Sequence, residues 1–143
     1  MTIKKSAQSS WHGDIKSGKG EISTESGALD NQPYGFNTRF EDKPGTNPEE
    51  LIAAAHSACF SMALSLALTE ANYVADNIET KAIVSLDEVA DGFAISHIVL
   101  KVTAQIDDIS QPLFEQLCQQ TKQDCPISKL MNTEISLTTH LNQ

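Results

Sequence analysis

From residue 51 to residue 68 the chain contains no Asp, Glu, Lys or Arg. This is the feature that most constrains the fold. The run is entered through Thr46-Asn47-Pro48-Glu49-Glu50. Asn47 suits an N-cap, Pro48 suits the first helical position, and Glu50 falls where a capping-box acid sits. Thr46 as the cap would make Glu49 the box acid, so the register is open by one residue. A helix that is apolar nearly all round belongs inside a structure. Its bulk is small, with Ala53, Ala54, Ala55, Ser57, Ala58, Ser61, Ala63, Ser65 and Ala67. Small side chains let another helix approach closely. The run therefore predicts the central helix of the core, in contact with a partner subunit. It is nearly long enough to span a membrane, but it holds His56 and three serines and is flanked by acids, which argues against that reading.

Cys59 lies in the middle of this run. Positions three, four and seven away share its face: Ile52, Ala55, His56, Met62, Ala63 and Leu66. A thiol among such neighbours is ordinarily an inert small hydrophobe, and burial raises its pKa. Only a supply of positive charge changes that.

The remaining elements follow from pattern. Two short strands, 6–13 and 18–25, join through a turn near Lys16. A third strand is expected around Asn37 to Glu41, before a loop at 42–45. After the helix, strand 77–89 presents Ile78, Thr80, Ala82, Val84 and Leu86 on one face. Asp91-Gly92 marks a hairpin turn. Strand 93–107 puts Ile98, Leu100, Val102, Ala104 and Ile106 inward and His97 towards solvent. Ser110 caps a helix over 111–123 with a buried stripe of Leu113, Phe114, Leu117, Cys118 and Thr121. It must stop before Pro126, which begins a short helical turn over 126–131. A last strand covers 133–141. The order β-β-β-α-β-β-α-β is α+β, with buried helices on an antiparallel sheet.

A chain of 143 residues predicts one domain, 1–143. Net charge −9 argues against nucleic acid and anionic membrane surfaces as partners. The N-terminal residues lack the apolar stretch of a signal peptide, so a cytoplasmic location is expected. Three cysteines in a reducing compartment do not make a structural disulfide set.

Cys125 precedes Pro126, which places it at a helix N-cap, where a thiol pKa is lowered. A peroxide-reducing thiol needs a thiolate, a donor for the leaving oxygen and a second thiol to resolve the sulfenic acid. Arg39, the only arginine, can supply the first two through its charge and fork. Cys125 can supply the third. Glu49 or Glu50 can orient the guanidinium, although Glu50 is explained by its place in a first helical turn. Glu49 and Cys59 are ten residues apart, roughly 15 Å along an ideal helix. Either Arg39 bridges that distance, the helix is interrupted, or the acid comes from a second subunit. A zinc site built on His56 and Cys59 lacks ligands at any standard spacing. No serine-hydrolase elbow or phosphate loop is present.

Three segments together resemble the OsmC/Ohr family, closest to its OsmC branch: Tyr34-Gly35-Phe36-Asn37-Thr38-Arg39-Phe40; Gly45 to Ile52, with Pro48-Glu49-x-Leu51; and Ala55-His56-Ser57-Ala58-Cys59-Phe60. Cys125-Pro126 extends the likeness. The resemblance implies an intertwined homodimer and a thiol peroxidase that reduces organic hydroperoxides, and hydrogen peroxide more weakly, without metal or flavin. It implies Cys59 as the peroxidatic cysteine, Cys125 as the resolving cysteine, and Arg39 and Glu49 as the activating pair. It also implies a dithiol reductant such as a lipoylated protein. Cys118 has no counterpart in the motif. The alternative is a non-enzymatic redox sensor or binding module using the same cysteine pair.

Overall fold

A computed structural model describes all residues, 1–143. The chain packs as two compact units, Met1–Leu51 and Ile52–Gln143.

The first unit is a three-stranded antiparallel sheet in the order β1 (Ala7–His12), β2 (Lys19–Thr24), β3 (Gln32–Tyr34), followed by the short helix α1 (Phe36–Phe40). The β1–β2 turn closes on Asp14, whose carboxylate accepts from both the amide and the hydroxyl of Ser17 at 2.7 Å. Trp11 and Tyr34 pack with ring centroids 5.7 Å apart over Gly20. A Cβ on Gly20 would lie 2.4 Å from the Tyr34 ring, so only glycine fits between them.

The third strand falls earlier than the sequence predicts. Residues 36–40 are helical and the strand is Gln32–Tyr34. The Thr38 hydroxyl accepts from the Gly35 amide at 3.0 Å and donates to its carbonyl at 3.1 Å, closing a helical turn. Local side-chain bonding of this kind overrides the aromatic bias of Phe36 and Phe40 towards strand.

Helix α2 (Pro48–Glu70) starts where predicted and runs uninterrupted. Asn47 Oδ1 accepts from the Glu50 amide at 2.8 Å, which settles the cap on Asn47. In the second unit α2 buries one stripe, His56, Phe60, Leu64 and Leu68, all 0% exposed. That is an i, i+4 row, and it is less than the all-round burial the charge-free run predicts. Met62 is 76% and Leu66 60% exposed on the chain by itself.

The stripe meets β5 (Gly92–Ile106), whose Ile98, Leu100, Val102, Ala104 and Ile106 are the buried set predicted from alternation. β5 pairs antiparallel with β4 (Ala75–Val89) through the Asp91 turn. The predicted antiparallel pairing does not extend to β6 (Glu134–Leu141), which lies parallel to β5. The reason is the connection. Helix α3 (Gln111–Asp124) and helix α4 (Pro126–Leu130) form a crossover long enough to return the chain to the end where β5 began. Ser110 caps α3 by accepting from the Leu113 amide at 3.3 Å, and Phe114, Cys118 and Thr121 form its fully buried stripe. His97 is not simply solvent-facing: its Nε2 lies 2.7 Å from the Ser136 hydroxyl on β6.

Candidate active site

Cys59 sits one turn beyond His56 on α2. Cys125 is shared by two helices: it closes α3, with its amide donating to the Thr121 carbonyl at 2.9 Å, and it is the N-cap of α4. Pro126 dictates this corner, because it cannot donate to the α3 ladder but suits the first position of α4. The corner brings the Cys125 Sγ to 3.1 Å from the Cys59 Sγ. Both thiols are free, Cys59 half-buried and Cys125 fully buried. A disulfide needs the sulfurs about 1 Å closer.

Burial, first of all, pushes the Cys59 thiol above its ordinary value, and a proton shared with Cys125 acts in the same direction. The Ile127 backbone amide, in the first turn of α4, pulls it down. Either sulfur can donate in this contact. With Cys125 as the acceptor, Cys59 keeps its proton. Ionising Cys59 is therefore opposed by burial and assisted by the Ile127 amide. Ala55, Met62 and Leu66, three of the apolar neighbours expected to enclose Cys59, are exposed.

Arg39 and Glu49 form a forked ion pair in the first unit. Arg39 Nη2 lies 2.7 Å from Glu49 Oε1, and Nε donates to both carboxylate oxygens at 3.1 and 3.2 Å. The Glu49 side chain is 11% exposed and that of Arg39 37%. The guanidinium also stands over the Phe40 ring, 5.1 Å from its centroid. Helix α1 and the first turn of α2 hold the pair, linked by the Asn47 amide donating to the Thr38 carbonyl at 3.1 Å. Glu50, the other candidate acid, is exposed and makes no such pair.

Cys118 is 0% exposed, and burial, with a smaller push from Glu115, drives its thiol up to about 12. It packs in the core, and its raised thiol value keeps it protonated. Sequence reasoning did not find a role for Ser128. Its hydroxyl lies 2.8 Å from Nε2 of the buried His56. The signal was present as a spacing, since 56 and 59 are three apart on one helix and 125 and 128 three apart on the other. No three His, Cys, Asp or Glu side chains converge on one point.

The model of the OsmC-like protein family matches residues 40–140, which include Glu49, Cys59 and Cys125 and begin one residue after Arg39. The chain belongs to the OsmC-like family. Among its relatives, "Peroxiredoxin OsmC" of Escherichia coli K12 is 56% identical over 137 residues, 96% of each chain. The "Organic hydroperoxide resistance protein OhrB" of Bacillus subtilis is 32% identical over 111 residues, 77% of this chain and 79% of that one. The crystal structure of Bacillus subtilis OhrB superposes with a TM-score of 0.69 at 26% identity, covering 94% of this chain and 97% of the other. The OsmC-like fold thus accounts for both units of the chain.

Proposed function

We propose that this OsmC-like chain is a cysteine-based peroxidase that reduces organic hydroperoxides to alcohols. The Cys59 thiolate attacks the distal peroxide oxygen, the O–O bond breaks and the alkoxide departs, taking up as alcohol the proton that Cys59 released on ionising; Cys59 becomes a sulfenic acid. The Cys125 thiol then attacks the Cys59 sulfur. Its proton leaves with the sulfenic hydroxyl as water, and a Cys59–Cys125 disulfide remains. A dithiol, of the kind carried by lipoylated proteins, returns both sulfurs to thiols and is itself oxidised.

The observation that carries this reading is the 3.1 Å contact between two free cysteines held on separate helices. The names of the relatives, peroxiredoxin and organic hydroperoxide resistance protein, support the same chemistry. Arg39, oriented by Glu49, provides the positive charge that holds the Cys59 thiolate against the cost of burial. The working form is a homodimer in the cytoplasm. The exposed Ala55, Ala58, Met62 and Leu66 of α2 favour a subunit partner over solvent. The same apolar side chains around Cys59 favour a bulky organic peroxide over strongly hydrated hydrogen peroxide.

Steady-state assay with a dithiol reductant tests this. Many turnovers per Cys59, faster with cumene hydroperoxide than with hydrogen peroxide, are expected. A single oxidation without turnover would make the chain a redox sensor instead. Equal rates with the two peroxides would remove the apolar-approach argument.

A further inference from the structure

The His56–Ser128 contact is a buried side-chain hydrogen bond of the second unit that joins two helices and that the proposed cycle does not use. It repeats the geometry of the sulfur pair. On α2, His56 and Cys59 are three residues apart; on the α3–α4 corner, Cys125 and Ser128 are three residues apart. Cys59 meets Cys125 at 3.1 Å, and His56 Nε2 meets the Ser128 hydroxyl at 2.8 Å. The two helices are joined by two rungs.

His56 is 0% exposed and its Nδ1 has no hydrogen-bond partner. Burying an imidazole with one nitrogen unsatisfied costs free energy that a leucine at the same place would not. Its single bond therefore specifies position more than it adds stability. What it positions follows from α4. That helix is only five residues long, begins at Pro126 with Cys125 as its N-cap, and has Ser128 as its buried residue. When Cys59 becomes a sulfenic acid, an oxygen is added at the sulfur contact and that rung changes. The His56–Ser128 rung contains no atom of the reaction and persists.

We propose that His56 and Ser128 are positioning residues for the resolving step, keeping Cys125 within reach of oxidised Cys59. This rests on the peroxidase reading above. The rung acts after peroxide has reacted, so it governs disulfide formation and not the first oxidation.

The experiment is a quenched time course with one equivalent of cumene hydroperoxide, with dimedone trapping of sulfenic acid and mass analysis of each cysteine. In Ser128→Ala, loss of the Cys59 thiol should keep the wild-type rate. Disulfide formation should slow by about five- to tenfold, the cost of one buried hydrogen bond. Trapped sulfenic acid, and sulfinic acid at excess peroxide, should rise accordingly. Ser128→Thr, which keeps the hydroxyl, should behave as wild type. His56→Phe breaks the rung from the other side, and His56→Gln, whose amide nitrogen stands in for Nε2, should partly restore it; this pair decides the matter if Ser128→Ala does not fold. Wild-type disulfide rates in both Ser128→Ala and His56→Phe would overturn the inference. So would equal slowing of both steps, which would mark general loosening of the unit. If wild-type Cys59 is not oxidised at all, the peroxidase reading fails and takes this inference with it.

Discussion

Cys118 allows a quantitative test, because its inertness can be worked from burial. Its thiol is pushed up to about 12 by full burial, with Glu115 adding to the effect. The thiolate is the reactive form. At pH 7 a group with that value is ionised about once in 10⁵, against roughly one in thirty for an ordinary thiol near 8.5. Cys118 should therefore alkylate at least about three thousand times more slowly than a free thiol, before any steric exclusion. The assay is native labelling with iodoacetamide between pH 7 and 9, quenched and read by peptide mass spectrometry. Labelling of Cys118 should climb about tenfold per pH unit with no plateau in this range. The same shift has a consequence for stability. The folded state holds the Cys118 proton that the unfolded chain releases above about pH 8.5. Stability therefore falls as pH rises from there towards 12, by up to about 1.4 kcal/mol per unit from this group. Cys118→Ala should remove that slope in urea titrations. Alkylation of native Cys118 at pH 7 within tenfold of a small free thiol would refute the reasoning.

Other perturbations follow from the same contacts. Arg39→Met removes all three hydrogen bonds to a Glu49 carboxylate that is nearly buried; it should destabilise by about 1–2 kcal/mol in urea melts, discounted for the exposed guanidinium. The same variant should slow the first oxidation of Cys59 in stopped-flow, because the proposed source of positive charge for the thiolate is gone. Leu64→Ala, at the centre of the buried α2 stripe, should cost about 2–5 kcal/mol. Met62→Asp, on the exposed face of α2, should shift a homodimer towards monomer in size-exclusion with light scattering while leaving the fold intact.

The parts of the fold legible in the sequence are those set by local chemistry and strict period. Alternation along β5 identified all five of its buried residues, and Asn47, Ser110 and Pro126 marked helix ends by the groups they supply or lack. Residues 36–40 misled because two phenylalanines favour a strand while one threonine hydroxyl, bonded back to Gly35, closes a helix. The direction of β6 was not legible, since it depends on the length of the whole α3–α4 crossover and not on any residue within the strand. The half-exposed character of α2 was hidden for a different reason: a charge-free helix reads as buried whether its covering comes from its own chain or from another. At the site, each cysteine was legible singly, from the face it occupies or the proline that follows it. Their approach depends on long-range packing of α2 against α4. The His56–Ser128 bond was missed because 72 residues separate its members and neither side chain announces a partner.

The central claim is that the two oxidising equivalents of one peroxide pass to Cys59 and then into a bond with Cys125. Intact-mass analysis with non-reducing peptide mapping, after one equivalent of organic hydroperoxide, measures this directly. The account predicts a chain lighter by two hydrogens, with Cys59 linked to Cys125 and Cys118 still a thiol. A disulfide involving Cys118, or an unreacted Cys59, would contradict it.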